Sequence, residues 1–283
     1  MLQLLKKTRL VTITGEPGIG KTYIAKRVAN YIAKRQIFVN KRSVMFMNVL
    51  NCSSKNKLID KFIQQIKQET DFQTEDNKEL MTNFNDLIRK LKDEFLLIID
   101  DAEDLLKANK DMLKEFLEII FEAAQIKILL TSKIELGAFL GGINGVSERV
   151  IKIQPLNLQV SEQLLMEKSG KLIPQIEKNA LLSAQLGRGH RNAKSCYHDL
   201  FENILGGHPT AITIAANIYK NCTLKELYDQ LSSVDVFNPN LQEESDQKGE
   251  GGFKTSLKLT LKLLNDKGVY ILFNLIGYFP AGV

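Results

Sequence analysis

One octapeptide constrains this chain more than anything else in it. Gly15-Glu-Pro-Gly-Ile-Gly-Lys-Thr22 matches G-x-x-x-x-G-K-[ST]. It follows Leu10-Val-Thr-Ile-Thr14, which reads as a strand. It opens residues 20–35, which read as a helix with Ile24, Val28, Tyr31 and Ile32 on one apolar face. A strand, a glycine-bearing loop and a helix in that order make an anion cradle. Glycines let the backbone approach closely, amides line a concave nest, and the helix start adds its positive dipole end. Lys21 is then placed for the β- and γ-phosphates and the Thr22 hydroxyl for Mg²⁺. The expected nucleotide-binding stretch is Gly15, Glu16, Pro17, Gly18, Ile19, Gly20, Lys21, Thr22 and Tyr23. The alternative is a glycine-rich turn that happens to precede a helix.

The rest of the first half alternates in the same way. Residues 44–50, 95–99, 126–130 and 150–153 read as strands. Residues 54–92 hold two amphipathic helices around a polar stretch, and 111–124 a third. The run Phe95–Ile99 is apolar throughout, as in a central parallel strand covered on both faces. This alternation predicts an α/β P-loop NTPase fold, a parallel sheet flanked by helices. Asp100 and Asp101 follow the apolar strand directly, at the edge where ligands bind in such sheets. Asp100 would hold Mg²⁺ through its water shell, and Asp101 would orient or deprotonate an attacking water. Capping of the next helix is the other reading of Asp101. Glu103 and Asp104 read as solvated or capping residues.

After Pro155 the pattern is helical to about residue 232, with a capping box at Thr223-Leu-Lys-Glu226. Residues 235–252 read as a polar linker, and 253–277 as helical again. The expected organisation is a nucleotide-binding domain over 1–155, a helical lid over 156–235, a linker over 236–252 and a partial winged-helix segment over 253–283.

Charge is unevenly spread. Residues 1–42 hold ten Lys or Arg and one acid, while the remainder is net acidic; only 8 of the 38 basic residues are Arg. That distribution argues against a nucleic-acid partner. No run approaches the ~20 apolar residues of a membrane span. Three scattered cysteines, Cys52, Cys196 and Cys222, form no zinc spacing, and reduced thiols in a cytoplasmic setting are expected. His190 and His198 have no evident metal partner.

Four stretches carry a resemblance to a known family: GEPGIGKT (15–22), LLIIDDAEDL (96–105), KILLTSK (127–133) and LGGHPTAI (205–212). The chain resembles the NB-ARC branch of the STAND P-loop ATPases. That resemblance implies ATP or ADP with Mg²⁺, slow hydrolysis, and a switch whose opening promotes self-association or protein partnership in signalling. It implies that Lys133, at the end of the sensor-one strand, faces the γ-phosphate, although the family usually has Arg there. A solvated Lys133 is the competing reading. It also implies that His208 lies near the nucleotide and that Pro209 packs on the adenine; a helix–turn–helix corner explains the same residues without a ligand. Arg149 reads as a strand-end surface charge, or as the arginine that related AAA+ proteins direct at a neighbour's nucleotide. Only nine residues precede the first strand, and the MHD histidine of the family would lie beyond residue 283, which suggests a fragment. Two rivals remain. One is an AAA+ ATPase of the origin-recognition or loader type acting on DNA, against which the arginine-free helix after Pro209 counts. The other is a non-catalytic, nucleotide-stabilised interaction module.

Overall fold

The computed structural model describes residues 2–35, 44–49, 52, 54–69, 79–90, 94–123, 125–136, 146–184 and 195–232. The linker and winged-helix expectations, and His190, lie outside them. Compactness divides the chain into two units. The first comprises Met1–Gly15 and Gly20–Ile153; the second comprises Glu16–Ile19 and Gln154–Val283.

The first unit is built on five parallel strands: β1 (Leu10–Thr14), β2 (Val44–Asn48), β3 (Phe95–Asp100), β4 (Ile126–Ser132) and β5 (Glu148–Lys152), in the order β2-β3-β4-β1-β5. Helices α1 (Leu2–Lys7), α2 (Lys21–Arg35), α3 (Lys55–Glu69), α4 (Leu80–Lys90) and α5 (Glu103–Glu122) accompany it. Side-chain alternation assigns each strand residue to one of two cores. Phe95, Leu97 and Ile99 join the α3–α5 side, where Phe62, Phe84 and Phe116 meet ring to ring. Leu96 and Ile98 join Leu5, Ala25 and Ile32 on the α1–α2 side. Strand β3 is buried on both faces and apolar from Phe95 to Ile99, and its first acid, Asp100, falls at its last residue.

Several boundaries differ from expectation: β2 ends at Asn48 and not at residue 50, and β4 runs on to Ser132. Helix α5 begins at Glu103 instead of residue 111, because Ala102 and Leu105 are buried and extend the core-facing stripe by two turns. It ends where the Arg9 guanidinium donates to the carbonyls of Phe121 and Ala123, at 3.0 and 2.6 Å, a cation at the negative end of a helix. Strand β5 starts two residues early, at Glu148, and Arg149 is an exposed residue within it.

The second unit is helical: α6 (Leu158–Ser169), α7 (Gln175–Ser183), the short α8 (Cys196–His198) running into a wide π-type winding over Asp199–Ile204, α9 (Pro209–Tyr219) and α10 (Leu224–Ser232). The Asn157 side chain caps α6 and left-handed Gly170 ends it. Thr223 and Glu226 form the expected reciprocal capping box, at 2.7 and 3.2 Å. Tyr197, Phe201, Ile212, Ala215, Tyr219 and Leu227 lie in its core. At its corner Gly206 and Gly207 both take positive φ, 58° and 62°. A Cβ on Gly207 would collide with the Leu156 carbonyl, so only glycine permits this turn. Pro209 then opens α9 at its first position, which needs no amide hydrogen.

Candidate nucleotide site

The strand order brings three strand ends to one edge. Register pairs Asn48 with Asp100 across β2 and β3, and Ile13 with Thr131 across β1 and β4. The phosphate loop leaves β1 at this edge, so loop and acids meet although β4 separates their strands.

The Thr22 hydroxyl donates to Asp100 Oδ1 at 2.9 Å, and Thr131 Oγ1 donates to the same oxygen at 2.6 Å. Asp100 is 1% exposed. Asn48 Nδ2 lies 3.5 Å from Asp100 Oδ2 and donates to Asp101 Oδ2 at 2.9 Å. Charge in so dry a place is tolerable only with donors of this kind around it. Lys21, 6% exposed, donates to the Gly15 carbonyl at 2.8 Å. Burial holds its ammonium below the usual lysine range, against the opposing pull of Glu103, Asp101 and Asp100.

Asp101 has φ 61°, the one positive value on a non-glycine among the described residues. Its amide donates to Thr131 Oγ1 at 3.0 Å, and the Ala102 amide to the Thr131 carbonyl at 3.0 Å. These bonds hold a left-handed turn that L-residues adopt at a cost. Burial first, and then the neighbouring Asp100, push the Asp101 carboxyl above the usual range; the Asn48 bond opposes them. Asp101 does not cap α5: the cap position is Ala102, and no side chain caps it.

Lys133 pairs with Glu103 at 3.1 Å. Glu103 is not the solvated residue expected from the sequence; it is buried, because the first turn of α5 faces the sheet, and its second oxygen has no hydrogen-bond partner. Tyr23 is 66% exposed on α2. Glu16, Pro17 and Gly18 form the crest of the loop, and Ile19 is buried, its amide donating to the Glu16 carbonyl at 3.2 Å. Gly18 and Gly20 take φ 78° and 104°. His208 is buried in the helical unit, and Pro209 is half-buried at the start of α9. His198 bonds its neighbour Ser195 through Nδ1 at 2.9 Å. Among the described residues no cluster of three or more His, Cys, Asp or Glu could hold a metal, and no helix is long and apolar enough to cross a membrane.

Sequence reasoning missed Asn48, Thr131 and Glu103. For Thr131 the signal was present, since it is the first hydroxyl after an apolar strand, as Asp100 is the first acid after its own. Asn48 becomes visible only once β2 is known to lie beside β3.

Residues 5–140 match the sequence model of an AAA domain family. No curated protein matches the chain. Among solved structures, the chain is similar to the Aeropyrum pernix ORC2 protein in its ADPNP–ADP complexes, with 13% identity, a TM-score of 0.50, and coverage of 86% of this chain and 68% of that one. It is also similar to Drosophila ORC bound to DNA, with 16% identity, a TM-score of 0.51, and coverage of 80% and 60%. Aeropyrum pernix ORC1 in complex with DNA is a further match at 13% identity and a TM-score of 0.48, with coverage of 82% and 62%. The chain thus spans 60 to 68% of the length of these proteins. At such identities the likeness shows the fold alone, a parallel sheet flanked by helices; the narrower NB-ARC assignment is not among what it carries. One expectation is overturned. Charge distribution argued against nucleic acid, yet Drosophila ORC, which shares this architecture, was solved bound to DNA. Local basicity and a low arginine share are therefore no ground for excluding that partner. Residues 5–140, just under half of the chain, are thus similar to a P-loop ATPase domain of the AAA type.

Proposed function

We propose that the chain is a nucleotide-dependent AAA+ module of the origin-recognition or loader type, acting on DNA. The observation that carries the nucleotide part is the convergence of Thr22 and Thr131 on Asp100 beside the phosphate loop. A hydroxyl and a carboxylate are hard oxygen donors, the set that Mg²⁺ takes together with phosphate oxygens. Thr22 and Asp100 would hold the cation, which supplies charge neutralisation at the phosphates. Residues Gly15–Thr22 would cradle ATP or ADP, and Lys21 would leave the Gly15 carbonyl for the β- and γ-phosphates. Asp101, which accepts a hydrogen bond from Asn48, would orient an attacking water in a slow hydrolysis. Lys133 reaches a γ-phosphate only by giving up Glu103.

The DNA part draws support from the ORC-type fold and from α2. That helix contains no acid, and Lys26, Arg27, Lys34 and Arg35 are all exposed. Basic residues of this kind attract a phosphate backbone irrespective of sequence. The test is calorimetric titration with ATP and ADP, wild type against Lys21→Ala, followed by duplex binding across a salt series. Nucleotide affinity that is equal in both proteins defeats the site, and no salt-dependent DNA binding defeats the partner.

One observation favours a second reading, the NB-ARC-like signalling switch. Helix α9 has no arginine, whereas loader-type lids normally supply one there. ATP-dependent self-association in the absence of DNA would select the switch over the loader.

A further inference from the structure

A phosphate loop works through backbone amides, and an amide has no side chain of its own to aim it. The crest of the loop, Glu16–Ile19, groups by compactness with the helical unit. Inside that unit two side chains reach its carbonyls. His208 Nε2 lies 2.9 Å from the Pro17 carbonyl, and Thr210 Oγ1 donates to the Gly18 carbonyl at 2.9 Å. A carbonyl only accepts, so His208 Nε2 carries the proton and donates.

We propose that His208 and Thr210 are positioning residues of the phosphate loop: His208 aims the Gly18 amide by holding the opposite end of its peptide plane, and Thr210 locks the next plane, whose Ile19 N–H is already tied to the Glu16 carbonyl. In a planar trans peptide the C=O and the following N–H point in opposite directions. Fixing the Pro17 carbonyl on His208 therefore directs the Gly18 N–H away from His208. The Gly18–Ile19 plane is held at both ends, by Thr210 on its carbonyl and by the Glu16 carbonyl on its N–H. Neither plane can flip without losing a bond, so the loop is preorganised for an anion instead of being ordered by it.

Local sequence delivers these donors. Gly206 and Gly207 reverse the chain, His208 is extended at φ −85° and ψ 118°, and Pro209 starts α9, which makes Thr210 its second residue. Gly18 completes the fit: a Cβ there would lie 2.6 Å from Thr210 Oγ1 and 3.0 Å from His208 Cε1. His208 is 1% exposed, so water does not compete for this bond.

The proposal rests on the nucleotide reading above, and the experiment separates the two. In the full chain, Thr210→Val removes the hydroxyl at constant shape and Thr210→Ser restores it; His208→Leu and His208→Gln do the same for the ring donor. Amide hydrogen exchange over residues 15–22 is measured without nucleotide, and ADP affinity by calorimetry. Thr210→Val is expected to speed exchange in the loop about five- to tenfold, the worth of one hydrogen bond. It should leave residues 95–100 unchanged and weaken ADP binding by a similar factor, with Thr210→Ser close to wild type. Loop exchange in Thr210→Val equal to wild type overturns the proposal, and so does exchange accelerated equally in loop and β3. A wild type that fails to bind ADP while Thr210→Val still loosens the loop defeats the nucleotide reading alone.

Discussion

Thr131 holds Asp100 with its hydroxyl hydrogen at 2.6 Å and, through the same oxygen, takes the amide of the next residue, Asp101, at 3.0 Å. One side chain thus sets the orientation of the first acid and the backbone of the second. Thr131→Val keeps the volume and loses both bonds in a fully buried place. Leaving a buried carboxylate and a buried amide short of a partner should cost about 2–3 kcal/mol. Thermal unfolding is expected to fall by several degrees, and Thr131→Ser should recover most of the loss.

Asp101 yields a pH prediction. Burial and Asp100 raise its native carboxyl above the ordinary 3.8, so the folded chain binds the proton more tightly than the unfolded chain. Its contribution to stability is present at acid pH and is lost as pH rises through the raised native value. Asp101→Asn removes that loss and tolerates φ 61°, since Asn visits the left-handed region readily. The variant should melt higher than wild type at neutral pH, a gain within the ~0.5–2 kcal/mol of ordinary stabilising substitutions. The gain should vanish as pH approaches 3.8. ATP hydrolysis, followed by phosphate release, should fall in the same variant.

Gly18→Ala meets two obstacles. Its φ of 78° strains any L-residue, and its Cβ would press on Thr210. A cost of about 1–3 kcal/mol is expected from the backbone alone. Combining it with Thr210→Ala should relieve the steric part and leave the conformational part, which denaturant unfolding of the single and double variants will show.

Lys133 and Glu103 suit a double-mutant cycle. Lys133→Ala strands a buried carboxylate whose other oxygen already lacks a partner, but Lys133 itself is 41% exposed and solvent-screened. A loss of about 1 kcal/mol is therefore expected instead of the several typical of a fully buried pair. Glu103→Gln frees the lysine. ATP affinity should rise in that variant and ADP affinity should not, if Lys133 is to reach a γ-phosphate.

The strands of the sheet could be read from sequence because β3 is apolar up to its last residue, and β1 and β4 are interrupted before their polar ends only by Thr12 and Lys127. Their terminal polar residues were equally visible, and Asp100 and Asp101 were singled out. What could not be read were relationships that depend on strand order. Asn48 and Thr131 matter only because β2 and β4 flank β3. Glu103 is acidic and helix-initial, which in sequence looks like a capping residue; its burial follows from the face α5 turns to the sheet. Thr210 gave no signal, since its partner is a backbone carbonyl 192 residues away. Charge misled in a different way. A basic segment confined to residues 1–42 looked local in sequence, yet α2 collects four of its cations on the surface of one helix.

The interposed strand β4 acts as a ruler. Adjacent strands lie about 4.8 Å apart, so the axes of β1 and β3 are separated by close to twice that distance. In the proposed site a phosphate chain on the loop would reach the acids across this gap, which the Thr22 and Thr131 hydroxyls already bridge by donating to Asp100. Substitutions in the buried middle of β4, at Leu129 or Leu130, touch none of these groups. They would leave the gauge of the site as it is, since backbone hydrogen bonds and not side chains set the spacing of the strands.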